Sequence, residues 1–154
     1  MIAAKTVSHH SIPARARGVT FIELLIVMAV FTILTAVAYP SYINYVTRAS
    51  RVAAEGFMLE VSNRQERFLL DNRGYAADIA TLTASGLVIP GSVSPKYTIT
   101  VVSPRSGLTT PSYLVSAVPI GKQAVNDQPC GTLTIDETGA KTATGFAGAA
   151  CWQQ

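Results

Sequence analysis

The feature that most limits what this chain can fold into is an apolar run from Val19 to Tyr39. Its only polar members are Glu23 and three threonines. A helix of about 21 residues, rising ~1.5 Å per residue, is long enough to cross the ~30 Å hydrocarbon core of a bilayer. The run therefore predicts a transmembrane helix near the start of the chain.

Basic residues precede this run, at Lys5, Arg15 and Arg17. Positive charge beside a membrane helix favours the cytoplasmic side. The asymmetry predicts that residues 1–18 are cytoplasmic and that the rest of the chain lies on the other side of the membrane.

Glu23 is the exception in the run, because a carboxylate inside a membrane helix costs roughly 2.5–3.5 kcal/mol. One interpretation is a side chain that snorkels from the helix end to the interface. The other is a carboxylate that pairs with a cation from a second molecule in the membrane.

The segment Gly18-Val-Thr-Phe-Ile-Glu-Leu24, with the apolar run behind it, resembles the class III signal of type IV pilins. The resemblance implies cleavage after Gly18 by a prepilin peptidase and methylation of the new N-terminal residue, Val19. It also implies an assembly role for Glu23, the fifth residue of the mature chain, paired with the Val19 amine of a neighbouring subunit.

Pro40, Tyr42 and Tyr45 match the same family pattern, and a kink in the helix is expected at Pro40 because proline lacks a backbone N–H. Two positions depart from the pattern. Val19 stands where the family usually has Phe, and Thr32 stands where many relatives have Gly.

An ordinary secretory signal peptide is an alternative for the same segment. Its basic region would be residues 1–18, its apolar region Phe21–Leu34, and its cleavage site Ala36-Val-Ala38. This interpretation leaves Glu23 unexplained.

Composition excludes several classes of function. Three of the twelve Lys and Arg residues lie in residues 1–18 and all nine acids follow, so nine charges of each sign remain and the mature chain is near neutral. Both histidines, His9 and His10, also lie in the leader. No metal-ligand spacing, P-loop or nucleophile motif is present. We therefore expect no catalytic residue, no cofactor and no metal site, and the chain is not expected to be an enzyme.

The predicted fold is α+β, with a long N-terminal helix packed on a small antiparallel sheet of about three to four strands, as in the type IV pilin fold. We expect a cleaved leader at 1–18, a transmembrane and assembly helix at 19–45 and a periplasmic domain at 46–154. Within that domain we expect a helix at 46–71, a connecting loop at 72–96, a sheet at 97–136 and a disulfide-bounded region at 130–151.

The helix after Pro40 shows apolar residues at three- and four-residue spacing, which predicts an inward face. These residues are Tyr42, Tyr45, Ala49, Val52, Ala53, Phe57 and Val61. Arg51 with Glu55, and Glu60 with Arg64, are opposite charges four residues apart, and we interpret them as a solvated helix face. A helical turn is expected near Asp78–Leu82.

Strand patterns occur at Tyr97–Val102, Ser112–Val118 and Gly131–Ile135, with turns at Ser103–Gly107 and Asp136–Gly139. The stretch Asp127–Lys141, closed by Cys151-Trp152, is similar to the end of PilE-type minor pilins.

Cys130 and Cys151 are the two cysteines of the chain. An even count in an exported chain predicts a disulfide, and a pair of free buried thiols is the alternative.

The resemblance implies a structural subunit of a type IV pilus, in particular a minor pilin that supports pilus assembly, twitching motility and adhesion. Its partners would be other pilin subunits, the prepilin peptidase, the inner-membrane assembly platform and membrane lipid. It would sit in the bacterial inner membrane before assembly and in the extracellular pilus afterwards.

Two alternatives remain open at this point. One is a pilus-borne DNA-binding pilin for natural transformation, for which the candidate cations are Lys96, Arg105, Lys122 and Lys141. The other is a type II secretion pseudopilin, which shares the signal and the anchor.

Overall fold

A computed structural model describes residues 18–105 and 111–152 of the chain. Most of the predicted leader and residues 106–107 of the predicted turn lie outside the described residues. The chain divides into two compact units, one ending at Ala38 and one beginning at Tyr39, and each is described by itself.

The first helix, α1, runs from Phe21 to Asn72 and contains 52 residues. Its length agrees with one helix that serves first a bilayer and then a folded domain, because soluble helices of this length are uncommon. Pro40 lies inside α1, and the kink predicted there stays a prediction.

The second unit holds a four-stranded antiparallel sheet in the order β1-β2-β3-β4. The strands are β1 (Tyr97–Val102), β2 (Leu114–Pro119), β3 (Leu133–Asp136) and β4 (Lys141–Ala143). The predicted fold class is confirmed. The sheet boundary predicted at residue 136 is wrong, because β4 pairs with β3 beyond it.

The strand register builds the core from alternate residues. Ile99, Ala117 and Leu133 share one rung of the sheet. Val101, Val115 and Ile135 share another. All six are buried, since side chains two residues apart point to the same face of a strand. This face joins one hydrophobic cluster with the α1 residues Ala54, Phe57, Met58 and Val61.

The inward face predicted for the early turns of α1 is wrong. Tyr42, Tyr45 and Val52 are exposed, whereas Thr47, Ser50, Arg51 and Glu55 are buried. The prediction from apolar spacing fails here because polar side chains occupy the inward positions. These positions are in phase with Phe57 and Val61 further along the helix.

The connecting segment is held to α1 by an amide. The Gln65 side chain donates to the Ala76 carbonyl at 3.0 Å and accepts from the Ala76 N–H at 2.8 Å. A short helix, α2 (Ile79–Ala84), follows where one helical turn was expected. Its N-cap is Asp78, which accepts from the Thr81 N–H, and this hydrogen bond lowers the pKa of Asp78.

A third helix, α3 (Gly121–Asn126), lies between β2 and β3. No helix or strand was predicted for these residues. Six residues show too little apolar periodicity to indicate a helix, and side-chain contacts to α1 and β1, described below, fix α3 in place.

The C-terminal region contains the predicted disulfide, with the Cα atoms of Cys130 and Cys151 5.7 Å apart. It joins the chain just before β3 to a 3-10 helix at Gly148–Trp152. The intervening loop packs tightly, because a Cβ built on Gly145 would come within 2.2 Å of the Pro129 carbonyl oxygen. Only glycine fits at this position without a shift of the backbone.

Candidate functional site

The start of α1 forms a reciprocal cap between Thr20 and Glu23. The Glu23 N–H donates to the Thr20 hydroxyl at 3.3 Å, and the Thr20 N–H donates to the Glu23 carboxylate at 3.4 Å. This is the arrangement of a capping box, and it satisfies two backbone donors that a helix start leaves free. Gly18 and Val19 precede the cap and are exposed.

The helix that follows this cap suits a lipid environment. From Phe21 to Ala38 every residue is exposed, and α1 is long and apolar enough to cross a membrane. Two of its polar side chains are already satisfied, because the Thr32 and Thr35 hydroxyls each donate to a carbonyl four residues earlier at 2.8 Å. Hydroxyls paired in this way add little cost in hydrocarbon.

The second unit contains a buried ion pair between Arg51 of α1 and Asp127, which follows α3. The guanidinium donates through Nη2 to Oδ1 at 2.5 Å and through Nε to Oδ2 at 3.1 Å. Asp127 is 1% exposed. Such a two-point contact is strong and fixes orientation, but only while both partners are present.

Two further side chains complete the site around Asp127. The Tyr97 hydroxyl of β1 donates to Oδ2 at 2.8 Å, and burial together with this bond raises the pKa of Tyr97. The Gln123 amide of α3 contacts Oδ2, the Tyr97 hydroxyl and the Thr47 carbonyl at 2.9–3.1 Å. One carboxylate thus joins α1, β1 and α3.

This geometry overturns the surface interpretation of Arg51 and Glu55. Both are buried, and Arg51 pairs with Asp127, 76 residues away in the chain, instead of with Glu55. The phase of Phe57, Met58 and Val61 along α1, extended backwards by three- and four-residue steps, would have placed Arg51 on the inward face.

The burial of the Glu55 side chain costs free energy. Its Oε1 atom is buried without a hydrogen-bond partner among the described residues. Burial raises the pKa of Glu55, and the neighbouring charges of Arg51 and Lys141 oppose that rise only in part.

The four cations considered for DNA binding do not converge. Lys96 and Lys122 line the same groove. Arg105 forms ion pairs with Asp136 at 3.1 Å and Glu137 at 3.3 Å. Lys141 lies 5.3 Å from the ring centre of Trp152. In the sheet, Lys141 pairs with Ile135, at the end away from Lys96.

Within residues 18–105 and 111–152, no group of three or more His, Cys, Asp or Glu side chains could hold a metal ion. The described residues thus contain an exposed apolar helix long enough to cross a membrane and a buried polar site that joins α1, β1 and α3.

Comparison with known families decides the class of protein. Residues 40–134 match the family described as "Type IV minor pilin ComP, DNA uptake sequence receptor". Residues 13–39 match the prokaryotic N-terminal methylation motif. The chain belongs to the type IV pilin family. The predicted family is confirmed, and with it the expectation of a structural protein instead of an enzyme.

Individual pilins show the same relationship. The chain is 36% identical over 72 residues to the "Type IV wide pilus major component PilA4" of Thermus thermophilus, covering 47% of this chain and 55% of that protein. It is 41% identical over 68 residues to a "Fimbrial protein" of Moraxella nonliquefaciens, covering 40% and 44%. The matches thus span about half the length of these relatives.

A solved structure of a type IV pilin from Shewanella oneidensis is also similar, with 22% identity and a TM-score of 0.46. The match covers 62% of this chain and 89% of that chain.

Removing one partner of the buried pair should destabilise the pilin strongly. We expect Asp127→Asn to lower the free energy of unfolding by about 3–5 kcal/mol, because Arg51 keeps its charge in a buried site. The matched control, Asp71→Asn, changes an exposed residue of α1 and should stay within about 0.5 kcal/mol. Urea unfolding of the detergent-solubilised chain measures both, and equal midpoints would contradict the role of the pair.

Glu55→Gln should make the pilin more stable at neutral pH. The folded-state pKa of Glu55 is raised, so the folded chain loses stability as the pH rises through that pKa. Glutamine does not titrate, so the stability difference should be small in acid and should grow towards neutral pH in favour of the variant. Unfolding curves measured from acid to neutral pH test this, with the exposed Glu60→Gln as control. A stability difference between Glu55→Gln and the parent that did not change with pH would refute the raised pKa of Glu55.

Proposed function

We propose that the chain is a structural subunit of a type IV pilus, in particular a minor pilin. Before assembly it is anchored in the inner membrane by α1, with its second unit in the periplasm. The observation that carries the proposal is the exposed apolar half of α1 directly behind the Gly18–Glu23 segment, which matches the methylation motif. In a fibre, such helices bury one another's apolar surface.

The partners follow from this role. A prepilin peptidase removes the leader, an inner-membrane platform extracts the subunit, and other pilin subunits receive it in the fibre. Twitching motility and adhesion are the expected consequences. The chain should be present in pili sheared from the cell, and its absence from them would refute the proposal.

Cleavage is predicted between Gly18 and Val19, with methylation of the Val19 amine. Both residues are exposed and precede the Thr20–Glu23 cap, so the peptide bond lies outside the helix. Mass analysis of the N-terminal peptide of the membrane form tests this. A mature chain that begins at Tyr39 would support the secretory signal instead.

Glu23 has two possible roles that the structure allows us to separate. Its carboxylate caps its own helix through Thr20. In the proposed fibre it pairs with the Val19 amine of a neighbouring subunit. Glutamine can keep the cap but not the charge, and leucine can keep neither.

We expect Glu23→Leu and Glu23→Gln to insert into the membrane at least as well as the parent, because a costly charge has gone. Both should enter pili poorly, since the Val19 amine of the neighbour is left buried and unpaired. Breaking one side of such a pair costs roughly 3–5 kcal/mol, or more than a hundredfold in incorporation.

The measurement is the amount of each variant in sheared pili relative to its amount in the membrane. If Glu23→Gln incorporates like the parent and Glu23→Leu does not, the cap and not the charge is what assembly needs. Equal pilus-to-membrane ratios for the parent and both variants would show that Glu23 has no role in assembly.

A second candidate function is DNA binding during natural transformation, because the matching family is described as a DNA uptake sequence receptor. Lys96 and Lys122 are two cations of one groove, whereas Arg105 is occupied by two acids. Of the four predicted cations, Lys96 and Lys122 are therefore the pair that could contact one DNA backbone together.

DNA binding should weaken steeply with salt, because each phosphate contact releases counterions. We expect neutralising a contacting lysine to reduce the salt slope by about one. Anisotropy titrations of the full chain in detergent, with Lys96→Gln, Lys122→Gln and Lys141→Gln compared, identify the contacting cations. A slope near zero for the parent would eliminate this function.

A further inference from the structure

The helix α3 turns a polar side chain towards the interior and an apolar side chain towards the surface. Its polar Gln123 is buried at 7% exposure, whereas Val125 is 68% exposed. A surface helix normally turns its apolar side chains inward. Because Gln123 is held by the Asp127 site, Val125 is fixed on the outer side of α3.

Val125 borders an apolar groove of about 680 Å³ between α3 and the first turns of α1 in the second unit. Tyr39, Pro40 and Ile43 supply the α1 side, and Lys122 supplies a cation. A second groove of about 340 Å³ shares Ile43 and Lys122 and adds Lys96.

The lining of these two grooves carries one sign of charge. Lys122 and Lys96 are the charged residues among the lining residues described, and the Lys96 ammonium group also donates to the Ser50 hydroxyl at 2.6 Å. The nearby Asp127 is buried against Arg51, and α1 has no acid between Glu23 and Glu55. An anion would therefore meet two lysines and no competing carboxylate from the groove wall.

The α1 residues that line the first groove follow directly after the apolar run in the sequence. The apolar run ends at Tyr39, so this residue lies near the boundary of the hydrocarbon core. The headgroup layer adds roughly 5–8 Å on each side of that core, which is about four or five residues of helix. The α1 residues of the first groove, Tyr39 to Asn44, span that layer. Tyrosines are enriched at the same depth, and Tyr39, Tyr42 and Tyr45 are all exposed.

We propose that these grooves bind an anionic phospholipid of the leaflet that faces the folded unit. The glycerol region and the first carbons of an acyl chain lie against Val125, Pro40 and Ile43, and the headgroup phosphate contacts Lys122 and Lys96. This inference rests on the membrane-anchored state proposed above. It gives the pilin a lipid contact that is lost when the subunit leaves the membrane.

The test uses the full chain in lipid nanodiscs loaded with one copy each. Tryptophan is introduced by Val125→Trp, and lipids brominated near the top of the acyl chains quench tryptophans at that depth. The native Trp152 alone gives the baseline. Val88→Trp is the matched control, because Val88 is also an exposed valine and does not line the grooves. Leu34→Trp, inside the apolar run, reports insertion itself.

We expect Val125→Trp to be quenched well above Val88→Trp, and more so with phosphatidylglycerol than with phosphatidylcholine. Lys122→Gln in the same chain should remove about a fivefold preference for the anionic lipid, the effect of one cation near such a surface. Lys141→Gln should leave the preference unchanged. Thiol labelling checks that each variant retains the Cys130–Cys151 bond.

Several results would overturn the inference. Quenching of Leu34→Trp but not of Val125→Trp would leave the membrane anchor intact and remove the lipid site. If the tryptophan of Val125→Trp were shielded from the brominated lipid only in discs that hold several copies, the groove would be assigned to a second pilin. Loss of DNA binding in Lys122→Gln, with the lipid preference unchanged, would assign the lysines to DNA.

Discussion

The two-point contact between Arg51 and Asp127 is the interaction on which the second unit depends. It joins the middle of α1 to the chain directly after α3, and Tyr97 and Gln123 hydrogen bond to the same carboxylate. A buried ion pair adds little net stability over an apolar replacement, but it penalises every arrangement in which one partner is left alone. Its main effect is therefore to specify one docking of α3 and β1 on the helix.

The same site explains how one helix can serve two environments. Up to Ala38, α1 is apolar and exposed, as lipid or neighbouring helices require. From Ala54 onwards it contributes to the hydrophobic core. Between these parts its buried face is polar, at Thr47, Ser50 and Arg51. Lys96 donates to the Ser50 hydroxyl at 2.6 Å and Arg51 pairs with Asp127, so these two polar side chains find their partners inside the domain.

Sequence reasoning reached the fold class, the long helix, the strand segments and the cysteine pair, because each has a local pattern or a family motif. It failed at Arg51, Glu55 and Asp127. The spacing of opposite charges within α1 is typical of a solvated face, whereas the actual partner of Arg51 is Asp127, 76 residues away in the chain. It also missed α3, which is fixed by Gln123 and not by its own periodicity. Pairings of this kind depend on the three-dimensional placement of elements, which a single sequence does not encode locally.

The shortness of β4 affects how copies of the chain can meet when they are crowded together. A free sheet edge offers backbone donors and acceptors to any other chain and can start strand-by-strand fusion. Here β4 gives that edge only three residues before the disulfide-bound loop turns away. At the opposite edge the Ser103 N–H, just beyond β1, bonds to Ala77 of the segment before α2. The β4 side of the sheet thus offers a neighbouring chain too short a run of backbone groups to extend the sheet when many copies are crowded together.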